Sequence, residues 1–398
     1  RCRPAAETAA ASAANAFGTK FGAAAACTNS VSTALQTDAW IGQQFDTYSV
    51  LKGIMTAEDA CRGLDTQVAA LDARLLNLVA SKGGIFVTNE SNSCGFYENI
   101  MADANFKAAI AANGANWFPM TKNTYTNTMK NTESVLVGAY LSGQAGGWGV
   151  MNDTWDWYNR RYWKYFNGTN SQLSQLGEED RGVTQPETLP VETMMNGYGS
   201  GGMVYFNEHP AYFESENHFT PAFTQGVLPV FRYIIANPVP TKAEVIAQTK
   251  VGFWARSGLR INAAFYTNLS GDDGIEPYTT GRYHIIPSFS QNYTAAELAA
   301  KFPNMKIIAK RSAGGYDNVS TAAVYSTEAA KDSYVQSLYP AEFSGSAFSP
   351  YVGMYPRSTS PVVAMCTDSL VAIGSAKNCS VTRYISAICS AGTPWFLT

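Results

Sequence analysis

The stretch TAEDACRGLDTQVAALDARLLNLVASKGGIFVT, residues 56–88, decides the fold. Leu64, Val68, Leu71, Leu75 and Leu78 recur at three- and four-residue spacing, the apolar stripe of an amphipathic helix. Thr56 and Asp59 imitate a capping box, so the pattern predicts a helix from about Thr56 to Ser81. Gly83-Gly84 stops it, because glycine accepts the left-handed turn that ends a helix. Ile85-Phe86-Val87-Thr88 follows as a buried strand.

The alternation continues on the C-terminal side. Asp103 to Ala112 reads as a helix ended by Asn113-Gly114, and Asn116-Trp117-Phe118 as a short strand. Val135 to Leu141 is a continuous apolar run that reads as a strand, and Trp155 to Phe166 as a helix. Met203 to Phe206 is a strand after a glycine-rich lead-in. Phe223 to Ile235 is helical despite Pro229. Thr241 and Glu244 form a capping box for a helix to Gln248, and Val251 to Trp254 is a strand. Strand and helix thus alternate from residue 56 to 254, which implies parallel strands with helices outside, in a barrel or an open sheet. After about residue 285 short strands prevail, at Ile307-Ile308, Pro361 to Met365, Leu370 to Ile373 and Val381 to Ile385. Three spans result: an alanine-rich segment over 1–55, a β/α domain over 56–285 and a β-rich region over 286–398.

Composition narrows the function. The formal net charge is -3, so no basic surface attracts nucleic acid. No apolar run approaches the roughly 18 residues of a membrane span. His209, His218 and His284 lack close metal-ligand spacing, and neither a phosphate loop nor a GxSxG elbow occurs; no metal and no cofactor is expected. The seven cysteines, Cys2, Cys27, Cys61, Cys94, Cys366, Cys379 and Cys389, form no CxxC zinc pattern, and the last three suit a disulfide in the β-rich region. Sequons stand at Asn89, Asn152, Asn167, Asn268, Asn292, Asn318 and Asn378. Cysteines and sequons together point to an extracellular or cell-surface glycoprotein.

In a β/α barrel the reacting groups hang from the C-terminal ends of strands. Glu208 closes the strand Met203 to Phe206, and Asp153 lies in the loop GQAGGWGVMNDTWDWY. Trp148, Trp155 and Trp157 surround Asp153; Tyr205, His209 and Tyr212 surround Glu208. Carboxylates beside aromatic platforms suit glycoside cleavage, where acids move protons and rings hold the sugar.

The same segments resemble glycoside hydrolase family 98. The resemblance runs in order through SKGGIFVTNES, ANFKAAIAANGANWFPMTKNT, ESVLVGAYLSGQAGGWGVMNDTWDW, GYGSGGMVYFNEHPAY, TPAFTQGVLPVFRYIIANPVPTKAEVIAQTKVGFW and YTTGRYHIIPSF, roughly residues 81 to 290. It implies a (β/α)8-type barrel followed by a smaller β-rich region. It also implies cleavage of internal β-galactosidic linkages in complex carbohydrates by an inverting mechanism. Its two water-positioning acids fall on Asp153 and Glu208. Its general acid is a glutamate on an earlier strand; the nearest segment, AWIGQQFDTYS over 39–49, offers Gln43, Gln44 and Asp46 but no glutamate. Asp46 is the first substitute and Glu90 the second, with Glu98 a further acid nearby. A second departure is Thr121 in MTKNT, where the family often has an acid beside the lysine. By this likeness the first barrel strands are missing: either the alanine-rich start replaces them or another protein chain completes the barrel. Two functions follow, an endo-acting hydrolase or a non-catalytic glycan-binding component of an extracellular assembly.

Overall fold

The computed structural model describes residues 21–24, 38–57, 65–90, 96–123, 126–153, 191, 194, 197–208, 213–215, 218–220, 222–256 and 285–338. Six strands form one parallel sheet: β1 (Phe21–Ala24), β2 (Leu51–Ala57), β3 (Ile85–Glu90), β4 (Trp117–Asn123), β5 (Gly149–Asp153) and β6 (Val204–Glu208). They lie side by side in chain order. An open doubly wound sheet reverses its order at a switch point; this one does not, which is the winding of a β/α barrel. The fold is accordingly (β/α)8-type, followed by a β-rich region, and the described strands make an arc of that barrel. β1 and β2 come from the same chain and precede β3, so the alanine-rich start contributes a strand.

The connecting helices are α1 (Asp38–Thr47), α2 (Asp65–Ser81), α3 (Phe96–Ala102), α4 (Ala104–Asn113) and α5 (Thr126–Ser142). α2 ends as the Gly83-Gly84 pair requires. Gly83 takes φ +68° and donates to Ala80 C=O, while Gly84 donates to Val79 C=O. That is a Schellman cap. Its start differs from the sequence reading. Thr56 is a β2 residue paired with Thr88, and its hydroxyl meets Asp72 Oδ1 at 3.3 Å. The box-like spacing at Thr56 is incidental, and the described helix spans Asp65–Ser81. α4 is capped as expected, with Asp103 accepting from the Asn105 and Phe106 N–H groups.

Alternation along the strands separates two apolar layers. Ile54, Phe86, Trp117, Val150 and Tyr205 meet the helices in the main core. Val87, Met120 and Met151, with Met55, Ile85, Phe118 and Val204, form a second cluster on the inner face. Asn89 Nδ2 reaches Met151 Sδ at 2.6 Å across the intervening β4. Strands two apart in a flat sheet are separated by about 9–10 Å, so this contact reports the barrel's curl.

Val135 to Leu141, expected as a strand, is the second half of helix α5. The run is buried all round because α5 is wedged between the barrel sheet and a second sheet. A helix covered on every side loses its polar stripe, and with it the period that would identify it. A short antiparallel pair, β7 (Phe213–Ser215) and β8 (His218–Phe219), follows β6, and the second sheet has the order β10-β9-β11-β12-β13, formed in that order by Ser288–Phe289, Val251–Trp254, Lys306–Lys310, Tyr316–Asn318 and Ala323–Tyr325. β10, β9 and β11 are parallel, and β11, β12 and β13 antiparallel. Among the described residues Val251–Trp254 therefore pairs in this sheet and not in the barrel sheet. Ser134 Oγ donates to Ile286 C=O at 2.5 Å, tying α5 to β10's lead-in. A Cβ on Gly138 would stand 2.0 Å from the Ser288 carbonyl oxygen. Gly138→Ala must push backbone from backbone, and we expect it to cost about 3 kcal/mol. Denaturant unfolding checks this; an unchanged midpoint would show that the two layers part freely.

Of the residues after 338, the expected strands and the cysteines Cys366, Cys379 and Cys389 lie outside the described residues, as do Cys2, Cys27, Cys61 and Cys94. No described helix is long and apolar enough to cross a membrane.

Candidate functional site

Asp153 and Glu208 are the last residues of β5 and β6, and their Cα atoms are register partners. Two acid-bearing positions therefore lie side by side at the C-terminal end of the sheet, one strand spacing or about 4.8 Å apart in the backbone. Counting in twos, 153 follows Met151 and 208 follows Phe206, on the inner-face series. The sequence segments that resemble the family are thus brought to one mouth by ordinary strand pairing.

The inner face below them is built from residues that sequence reasoning passed over. Asn89 on β3 is 1% exposed, and its Oδ1 has no hydrogen-bond partner among the described residues. Lys122 on β4 pairs in register with Met151 and is buried. Met151 is 1% exposed, whereas Phe206, its register partner on β6, is 39% exposed. Met151 and Phe206 stand two residues before Asp153 and Glu208, positions already singled out. Applying the period of two to Asp153 and Glu208 would have found Met151 and Phe206.

The acids suggested as proton donors are placed elsewhere. Asp46 lies near the end of α1, where both its oxygens accept from Lys82 Nζ at 2.8 and 2.7 Å. Lys82 stands in the loop leading into β3, at the N-terminal end of the sheet. Asp46 is therefore at the opposite end of the barrel from Asp153 and Glu208, and it is an exposed ion-pair residue. Glu90 does end a strand at the mouth. Yet it belongs to the series of Phe86 and Thr88, pairing with Thr121 and through it with Val150, all on the helix-facing side. There it neighbours Tyr97 of α3, whose hydroxyl accepts from the Glu90 N–H and lies within bonding distance of the Thr88 and Met120 carbonyls. Burial, reinforced by the Glu90 carboxylate, pushes the Tyr97 hydroxyl far up. Tyr97 thus stitches β3 to β4 where Pro119 withholds a ladder N–H. Thr121, the second departure, is also on the helix-facing series.

The aromatic candidates divide similarly. Trp148 is fully buried, with its Nε1 donating to Ser200 C=O at 3.1 Å. Its own carbonyl accepts from the Met203 and Val204 N–H groups. It is a core residue that sets the entry to β6, which corrects its assignment as a sugar platform. Tyr205 faces the helices, edge-on to Phe231, and its hydroxyl donates to Gly202 C=O at 2.7 Å. Burial holds that hydroxyl well above the ordinary tyrosine range. It too is corrected to a packing residue. Trp155, Trp157, His209 and Tyr212 lie outside the described residues.

Residues 12–240 match the profile of glycosyl hydrolase family 98, and residues 242–353 match that of the family 98 C-terminal domain. The chain is 30% identical over 320 residues to a blood-group-substance endo-1,4-beta-galactosidase of Clostridium perfringens, covering 78% of this chain and 38% of that enzyme. It also resembles the catalytic module of a family 98 glycoside hydrolase from Streptococcus pneumoniae in complex with the LewisY pentasaccharide. The TM-score is 0.68 at 32% identity, over 83% of this chain and 57% of that one. The native form of the same module gives 0.66 at 31% identity, over 83% and 56%. The chain therefore spans little more than half of the structural relatives it matches, and less of the curated one.

Proposed function

The chain belongs to glycoside hydrolase family 98, and on that premise we propose that it hydrolyses internal β-galactosidic linkages of blood-group-type glycans. The observation that carries this reading is the register pairing of Asp153 with Glu208 at the C-terminal mouth. In the proposed inverting reaction these two carboxylates hold and deprotonate one water on the face opposite the leaving group. A separate carboxylic acid protonates the leaving oxygen. Neither Asp46 nor Glu90 is carried on the inner face, so that acid has to be another residue.

The same fact favours a second reading, in which the barrel holds a glycan without cleaving it. Incubation with a blood-group oligosaccharide and mass spectrometry of the products separates the two. Release of a smaller oligosaccharide supports hydrolysis; an intact glycan that nevertheless binds supports the second reading.

We place the protein outside the cell, where such glycans occur. The sequons give this less support than their number suggests. Asn89 and Asn318 are buried. The Asn318 amide donates to Tyr325 Oη, and the Asn292 amide to Met101 C=O. Neither of the two buried amides, Asn89 and Asn318, is presented for glycosylation in the folded chain.

A further inference from the structure

We propose that Phe206 is the stacking floor for the galactose ring whose linkage is cut, an inference that rests on the hydrolase reading. Phe206 occupies the inner-face series of β6, two residues before Glu208 and in register with Met151, which itself lies two residues before Asp153. The row carrying Met151 and Phe206 is therefore the row directly beneath the two acids. Met151 is enclosed, packed with Val87 and Met120 and touched by the Asn89 amide. Phe206 is different: 39% of it is exposed, so the inner face opens at that residue. A large aromatic side chain left open on the wall of a polar mouth is costly unless something apolar covers it.

Galactose supplies such a cover. Its axial O4 leaves one face of the ring, along C3, C4 and C5, as a patch of C–H groups. That patch fits an aromatic ring, while the hydroxyls on the other edges remain available for polar neighbours. A ring seated on Phe206 brings its anomeric carbon up toward the 153–208 row, where the water would be held. Continuity with the acid pair is what favours a sugar over a strand of another chain. Tyr205, one residue earlier, cannot serve, because alternation turns it to the helices.

The test uses Asp153→Asn protein, whose hydrolysis is expected to be too slow to consume the glycan during the measurement, and reads affinity for a β-galactoside-containing oligosaccharide by calorimetry. Adding Phe206→Ala should weaken binding about tenfold, the scale of one aromatic contact. Phe206→Trp in the same background should stay within about twofold. Phe206→Ala should lower the melting temperature by only a few degrees, because the residue is 39% exposed and the rest is covered, and Phe206→Trp should leave it unchanged. Equal affinity with and without the ring overturns the proposal. So does a large fall in melting temperature, which would make Phe206 a packing residue. If the Asp153→Asn protein binds no galactoside at all, the hydrolase reading fails and the proposal falls with it; loss confined to Phe206→Ala leaves that reading standing.

Discussion

Glu208→Gln is expected to lower glycan hydrolysis about a thousandfold, with the protein still folded. The substitution keeps size and shape but removes a group able to accept a proton. On the proposed reading these two register partners act on one water, so their losses should not multiply. Asp153→Asn should fall by a similar factor, and the double variant little further. Asp46→Asn is the control. Its carboxylate is 64% exposed and paired with Lys82 at the far end of the sheet, where an exposed ion pair is worth at most about 1 kcal/mol. Its turnover should match the wild type. A wild-type rate in Glu208→Gln would remove the site assignment.

Trp148→Ala is expected to act on stability instead, costing about 4 kcal/mol. The indole is among the largest fully buried side chains, and its removal leaves a cavity beneath the entry to β6. It also strands the Ser200 carbonyl that accepts from Nε1. Chemical denaturation reads this directly. A sugar platform would behave in the opposite way, losing glycan affinity with no change in midpoint. That outcome would restore Trp148 to the binding site and contradict its placement in the core.

Much of the fold was legible because its signals are local. The Gly83-Gly84 stop, the Asp103 cap and the Thr241–Glu244 box each act within one turn, and each stands in the structure. Errors arose where tertiary contacts overrode local pattern. Thr56 is held in β2 by pairing to β1 and β3, which no reading of its own neighbours reveals. Val135 to Leu141 is apolar throughout because two sheets cover α5, and a continuous run of that length suits strand or helix equally. Val251–Trp254 is a good strand that joins the other sheet, a choice made by long-range pairing with β11.

The pairing at the candidate site was legible in part for the same reason. Strand-end acids were found by position, and pairing brought Asp153 to Glu208. Proximity in sequence misplaced Trp148 and Tyr205, the latter because adjacent strand residues face opposite ways. Tyr205 and Phe206 are the instance: the first is packed against helices and the second opens on the inner face. Asp46 was chosen by its order along the chain, but the turn from α1 into β2 carries it to the far end. Glu90 shows that ending the right strand is insufficient when the parity is wrong.

The central claim is that one water, held by Asp153 and Glu208, displaces the leaving sugar from the opposite face. Proton NMR of the first-formed product from a β-galactosidic oligosaccharide tests it most directly, before mutarotation mixes the anomers. The α-anomer of the newly exposed galactose end is the expected result. A first-formed β-anomer would require a covalent intermediate on one of the two acids and would contradict the shared-water arrangement.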